Sequence, residues 1–142
     1  MAEDSQFALQ TAIYDALRAD ATLITLAGDG ASPERAKVYD QVEQDTAFPY
    51  VVIGPTTTLP WDSKTSDGME HLFDVFTLSR YSGMKEVKEI MAAVVDALDN
   101  VTLTVTGHTL VLLQFTFGQT VNDGDGLTHE GITRFRALIQ TP

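Results

Sequence analysis

The stretch EHLFDVFTLSR, Glu70 to Arg80, decides the fold. Leu72, Phe76 and Leu78 alternate with Phe73, Val75 and Thr77. A strand has a side-chain period of two, so apolar groups fall on both of its faces. A strand of that kind belongs at the centre of a sheet and is covered on both sides. Helices are expected over one side and a partner over the other.

Working outward, the C-terminal segment THEGITRFRALIQ alternates in the same way. Thr133, Phe135, Ala137 and Ile139 face one way, and Arg134 and Arg136 face the other. The stretch VTLTVTGHTLVLLQFTFGQTV reads as a hairpin turning at Gly107-His108, of type II′, with Gly supplying the positive φ. Its second arm would place Val111, Leu113, Phe115 and Phe117 on one face. Toward the N-terminus, FPYVVIG (Phe48 to Gly54) is a β-branched, aromatic strand with Pro49 near its start. AKVYDQV is a short strand, and TTTLPWDSKTSDGM is a long polar loop.

Helices show by their 3.6-residue period. Leu9, Ala12, Ile13, Ala16 and Leu17 make one stripe between about Ser5 and Ala19. Asp20 caps a second short helix, ATLITLA, which Gly28 stops. Val87, Ile90, Met91, Val94 and Leu98 make the clearest stripe, with Ser82 as N-cap and Asn100 as terminator. GDGASPERA is a loop. The element order is thus α, α, β, β, β, α, β, β, β. It implies an α+β fold: an antiparallel or mixed sheet with two amphipathic helices packed on one face.

Composition sets bounds. The chain has 142 residues, 44% hydrophobic and 20% charged, and is expected to form one domain over 1–142. It has no cysteine, which removes disulfides and thiolate metal sites. The N-terminal stretch lacks the basic and apolar regions of a signal peptide, and no apolar run nears the ~20 residues of a membrane span. The formal net charge of -11 argues against wrapping nucleic acid.

No catalytic, cofactor-binding or metal constellation is expected. NDGDGLTHEG, Asn122 to Gly131, is rich in acids. With Gly126 as sixth residue of a calcium loop, however, the first and twelfth are Val121 and Ile132. With Gly124 as sixth, the third is Val121. Turn chemistry at a hairpin tip accounts for the stretch. His71, His108 and His129 lack the i, i+4 spacing of a zinc helix and are read as strand ends or turn fillers. No G-x-S-x-G turn presents a nucleophile. Ser82-Gly83 ahead of a helix is too little for a phosphate site. The only tryptophan, Trp61, lies in a polar loop, either at an interface or folded back on the domain's own core. Arg134 and Arg136 pair with acids of this chain or a neighbour, or line a solvated face.

In order and spacing, several pieces resemble the small tail-terminator or tail-completion proteins of long-tailed phages and gene transfer agents. They are ALQTAIYDALRADATL, VYDQVEQDTAFPYVVIG, WDSKTSDGMEHLFDVFTLSR, KEVKEIMAAVVDAL, LTVTGHTLV and DGLTHEGITRFRALIQ; GDGASPERA departs from the pattern. The resemblance implies a structural virion protein and no enzyme. It implies a homo-hexameric ring on the head-proximal end of a tail tube, at the neck, assembled in the bacterial cytoplasm. The ring would stop polymerisation of the tail tube protein and join the tail to the head-side connector, or stopper. DNA would pass its lumen without specific binding. No cofactor and no membrane are implied. Trp61, Asp62, Lys64, Arg134 and Arg136 become candidates for subunit or tube contact. The rival readings are another head-tail connector or tail-tube subunit, and a small-molecule-binding α+β domain.

Overall fold

The computed structural model describes residues 4–62 and 67–141. Two helices come first, α1 (Gln6–Arg18) and α2 (Ala21–Ala27), followed by strands β1 (Val38–Tyr39), β2 (Tyr50–Pro60) and β3 (Gly68–Ser79). Helix α3 (Lys85–Leu98) and strands β4 (Thr109–Asn122) and β5 (His129–Gln140) complete the chain. The described strands make a five-stranded sheet in the order β1-β2-β3-β5-β4. β1 pairs parallel with β2, and the other pairings are antiparallel, so the sheet is mixed. β3 sits at the centre, as its two apolar faces require.

The helices lie on one face. Leu9, Ile13 and Leu17 of α1, Leu23 of α2, and Ile90, Val94 and Leu98 of α3 are buried there. They meet Val51, Ile53, Phe73, Val75, Leu113, Phe135, Ala137 and Ile139 from the sheet. Phe135 is the hub. Its ring stacks on Phe73 at 5.5 Å and meets Phe115 edge-on at 5.9 Å. At Gly131 an added Cβ would stand 2.4 Å from Met91 Sδ, so the missing side chain is what lets α3 approach β5. The Asp20 carboxylate accepts the Leu23 N–H at 3.1 Å and caps α2. The Gly28–Ala36 loop is closed at its base by a bridge between those two residues. Asp29 Oδ1 accepts the Ala31 and Arg35 N–H groups across it.

Several expectations need correction. Val101–Thr106 is not a strand; it lies along β4 with Val105 buried in the core, held by packing rather than a ladder. Gly107, at φ 80°, is the third residue of a turn closed by the His108 N–H on the Val105 carbonyl. That is the position at which a type II turn needs positive φ, and the turn precedes β4 rather than joining two strands. Ser82 does not cap α3. Met84 stands at the N-cap without a side-chain bond, and Glu86 in the first turn accepts the Ser79 hydroxyl at 2.7 Å instead. The polar run after Gly54 is strand as far as Pro60, because β-branched Thr56, Thr57 and Thr58 pair with Phe73, Leu72 and His71.

The second arm of the expected hairpin does not keep one face. Bulges between Leu110 and Leu112 and between Phe115 and Phe117 each insert one residue. A one-residue insertion moves later side chains to the opposite face. Leu113 and Phe115 therefore pack on the core side, while Phe117 pairs with Arg134 on the other. His71 is neither a strand end nor a turn. It is fully buried within β3, with Nε2 2.7 Å from Ser5 Oγ and Nδ1 2.9 Å from Thr58 Oγ1. It ties the start of α1 to two strands.

Two outcomes follow from this packing. Phe135→Ala should lower unfolding stability by about 3–5 kcal/mol, whereas Phe117→Ala should cost about 1 kcal/mol or less. Urea denaturation separates them, and equal losses would contradict the bulged register. Burial also pushes the His71 pKa below its ordinary 6.5. The unfolded chain then binds the proton more readily, so this stabilisation is complete above pH 6.5 and is lost as pH falls below it. The urea midpoint of the native chain should drop more between pH of about 7 and about 5 than that of His71→Gln. Parallel profiles would disprove the effect.

Candidate functional site

The face of the sheet away from the helices has no cover from the described chain. Val52 and Thr57 of β2, Leu72, Asp74, Phe76 and Leu78 of β3, and Ile132, Arg134, Arg136 and Leu138 of β5 share it by register. β4 adds Leu112, Gln114 and Phe117. Phe76 lies over Gly54, where an added Cβ would meet its ring at 2.4 Å. Leu72, Phe76, Leu78 and Ile132 are only half-buried. An apolar strand face left without a second layer is the kind of surface that a protein partner covers.

Two cross-strand ion pairs punctuate this apolar field. Arg134 stands directly opposite Asp74, with Nε donating to Oδ1 at 2.7 Å and Nη2 to Oδ2 at 3.2 Å. The arginine is nearly half exposed, and its guanidinium also lies 5.1 Å from the Phe117 ring centroid. Phe117, Arg134 and Asp74 thus form one polar-aromatic rung across three strands. The hydrogen bonds that Arg134 donates to Asp74 raise its pKa further, so its charge is permanent. Arg136 reaches diagonally to Glu70 and donates from Nε to Oε2. Both arginines are therefore paired within the chain. An exposed pair of this sort adds little to stability. Its larger effect is to fix each charge on the face, where a partner must match it.

The other candidates lie at an end of the sheet. Trp61 is half-buried beyond the end of β2. Its N–H donates to the Gly68 carbonyl at 2.8 Å, and its ring sits where a Cβ at Gly68 would be, 2.8 Å from Cε3. Asp62 is exposed, and its Oδ1 accepts the Gly68 N–H at 3.2 Å. Trp61 and Asp62 are thus brought together around Gly68. Lys64 lies outside the described residues. Arg134 and Arg136 are on the open face, within the body of β5.

The acidic stretch between β4 and β5 is a hairpin tip. Asp125 Oδ1 accepts the Leu127 and Thr128 N–H groups at 2.8 and 2.9 Å, and Oδ2 accepts the Thr128 hydroxyl at 2.7 Å. Those donors hold its pKa at about 2. The carboxylate is used to lock its own loop. Arg80 then ties this tip to its surroundings, donating from Nε to Thr128 Oγ1 at 3.1 Å and lying 4.4 Å from the Phe48 ring centroid.

Sequence reasoning missed Asp74, Glu70 and Phe117 as members of the arginine face. For Asp74 the signal was present, since it shares the strand face of Leu72 and Phe76. Phe117 was hidden by the bulge.

Comparison with known proteins bears on the family of the chain. The family described as "Tail completion protein gp17" matches residues 11–140. The tail completion protein gp17 of Bacillus phage SPP1 is 31% identical over 103 residues, 72% of this chain and 76% of that protein. A chain in the virion of a native gene transfer agent particle superposes with a TM-score of 0.84 at 30% identity, over 98% of this chain and 99% of that one. The solved structure of SPP1 gp17 superposes with a TM-score of 0.62 at 28% identity, over 94% and 88% of the two chains. A match over nearly the whole length, on the same α+β frame, leaves one conclusion: the chain belongs to the tail completion protein gp17 family.

Proposed function

We propose that six copies of this protein form a ring on the head-proximal end of a tail tube, stop its polymerisation and join the tail to the head-side connector. Family membership supports a part in tail completion and a place in the virion. The observation that carries the finer reading is the open sheet face, a half-buried apolar field fixed by two intrachain ion pairs and given no second layer by the described residues. A monomer gains nothing from such a face, whereas a subunit packed between neighbours and a tube does. Its work is then binding: one ring surface complements the tube end, and the other refuses a further tube ring.

The charge balance suits this reading. With a net charge of -11, a lumen lined by this chain would repel a passing duplex and leave it free to slide. Trp61, Asp62 and Lys64 are assigned to subunit or tube contact, and Arg134 and Arg136 to the matched charges of the open face.

Complementation of a deletion strain tests the proposal, with tail length and joined particles scored by electron microscopy. Leu72→Asp should leave a folded chain by thermal melting yet abolish joined particles. Trp61→Ala should weaken ring or tube binding at least about tenfold, or ~1.4 kcal/mol. Tails of normal length and normal yield with both variants would refute the assignment, and filaments of the purified chain would point to a tube subunit instead.

A further inference from the structure

The two edges of the sheet differ in a complementary way. At the β1 edge, Phe7, Thr11 and Asp15 recur at i, i+4, i+8 along the outer flank of α1. Phe7 is 79% exposed, more than the other exposed large apolar side chains of the described residues. It borders a groove of about 410 Å³ that runs to Val38 and Tyr39. Asp15 has no ion-pair partner among the described residues.

At the β4 edge, the outer flank of α3 stops short of the strand. Lys88 and Met91 line a recess of about 350 Å³ with Gly118, Gln119 and Thr120. Lys88 likewise has no ion-pair partner among the described residues. The outer backbone of β4 is held at Leu113 and Phe115, by the Asn100 N–H and the Asp99 carboxylate. Among the described residues nothing bonds that edge from Phe117 to Asn122. This bare half carries neither lysine nor proline, the residues that usually keep an edge strand from pairing.

The two edges also stand at one level. Val38 pairs with Val51, Val51 with Thr77, Thr77 with Gly131, and Gly131 with Thr120. The groove and the recess are therefore the two ends of a single row across the sheet. A head-to-tail contact that climbs along the strands winds into a helix, and one that does not climb can close.

We propose that the α1/β1 edge of one copy seats on the α3/β4 edge of the next. Phe7 enters the recess beside Met91, and Asp15 pairs with Lys88. The occupant of each edge is a second copy of this chain, chosen by the opposed unpaired charges, the knob facing a recess and the shared level. This rests on the ring reading and names the contact that builds the ring.

The absence of native cysteine makes thiol cross-linking clean. Thr11 and Gln119 are both exposed, so the double variant Thr11→Cys/Gln119→Cys keeps Phe7 in place and should fold. Treated with a short bis-maleimide at high protein concentration, it should give a ladder of oligomers ending in a closed species. Each single variant alone should give no ladder, and a mixture of the two should stop at dimers. In the double-cysteine background, Lys88→Glu should cut the yield at least about tenfold, and adding Asp15→Lys should restore it. A native mass showing an oligomer without the ladder would leave the ring standing and reject this pairing. Dimers from Gln119→Cys alone would show β4 meeting β4 about a two-fold axis and reject it too. A monomeric mass with no ladder also counts against it.

Discussion

The structure depends on one imbalance. β3 is apolar on both faces and sits between β2 and β5, yet the described chain provides a helix layer for one face only. Burial of Phe73 and Val75 under α1 and α3 drives folding. Leu72, Phe76 and Leu78 on the reverse gain only partial shelter from their strand neighbours. Folding and assembly are thereby assigned to opposite sides of one strand. The same residues cannot be optimised for both, which is why the ion pairs Arg134–Asp74 and Arg136–Glu70 appear on the reverse alone. They keep that side wet enough for a free subunit without filling it.

Much of this frame was legible in the residues. The stripes of α1 and α3 and the alternation of β3 and β5 are uninterrupted, and uninterrupted periods report their face directly. β4 was not legible in the same way. Its bulges leave no mark in composition, yet each reverses the face of every later side chain, and so Phe117 was assigned to the face of Leu113 and Phe115 and found on the opposite one. Val101–Thr106 has the composition of a strand and buries Val105, but it makes no ladder. Propensity there describes a fit to an apolar surface, not a commitment to pairing. The threonine run of β2 erred in the opposite sense, being polar in composition and strand in fact.

The candidate site was half legible. That Arg134 and Arg136 share a face follows from their spacing. That their partners are Asp74 and Glu70, some 60 residues earlier in the chain, requires strand register, which local sequence does not encode. Trp61 could be recognised as unusual, but its packing on Gly68 depends on how the β2–β3 connection closes. His71 shows the same limit. A histidine flanked by Glu70 and Leu72 gives no local sign that Ser5 and Thr58 will enclose it.

The Gly28–Ala36 loop has a bearing on how such chains can vary. Its two ends are pinned to each other, so the sheet and helices do not sense what lies between them. The entropy of closing a longer loop rises only with the logarithm of its length. Residues added there would be carried as ornament, outside the register of the strands. This is the place on the subunit where a lineage could acquire a new projection, or an experimenter could graft a fluorescent tag, without retuning the rest.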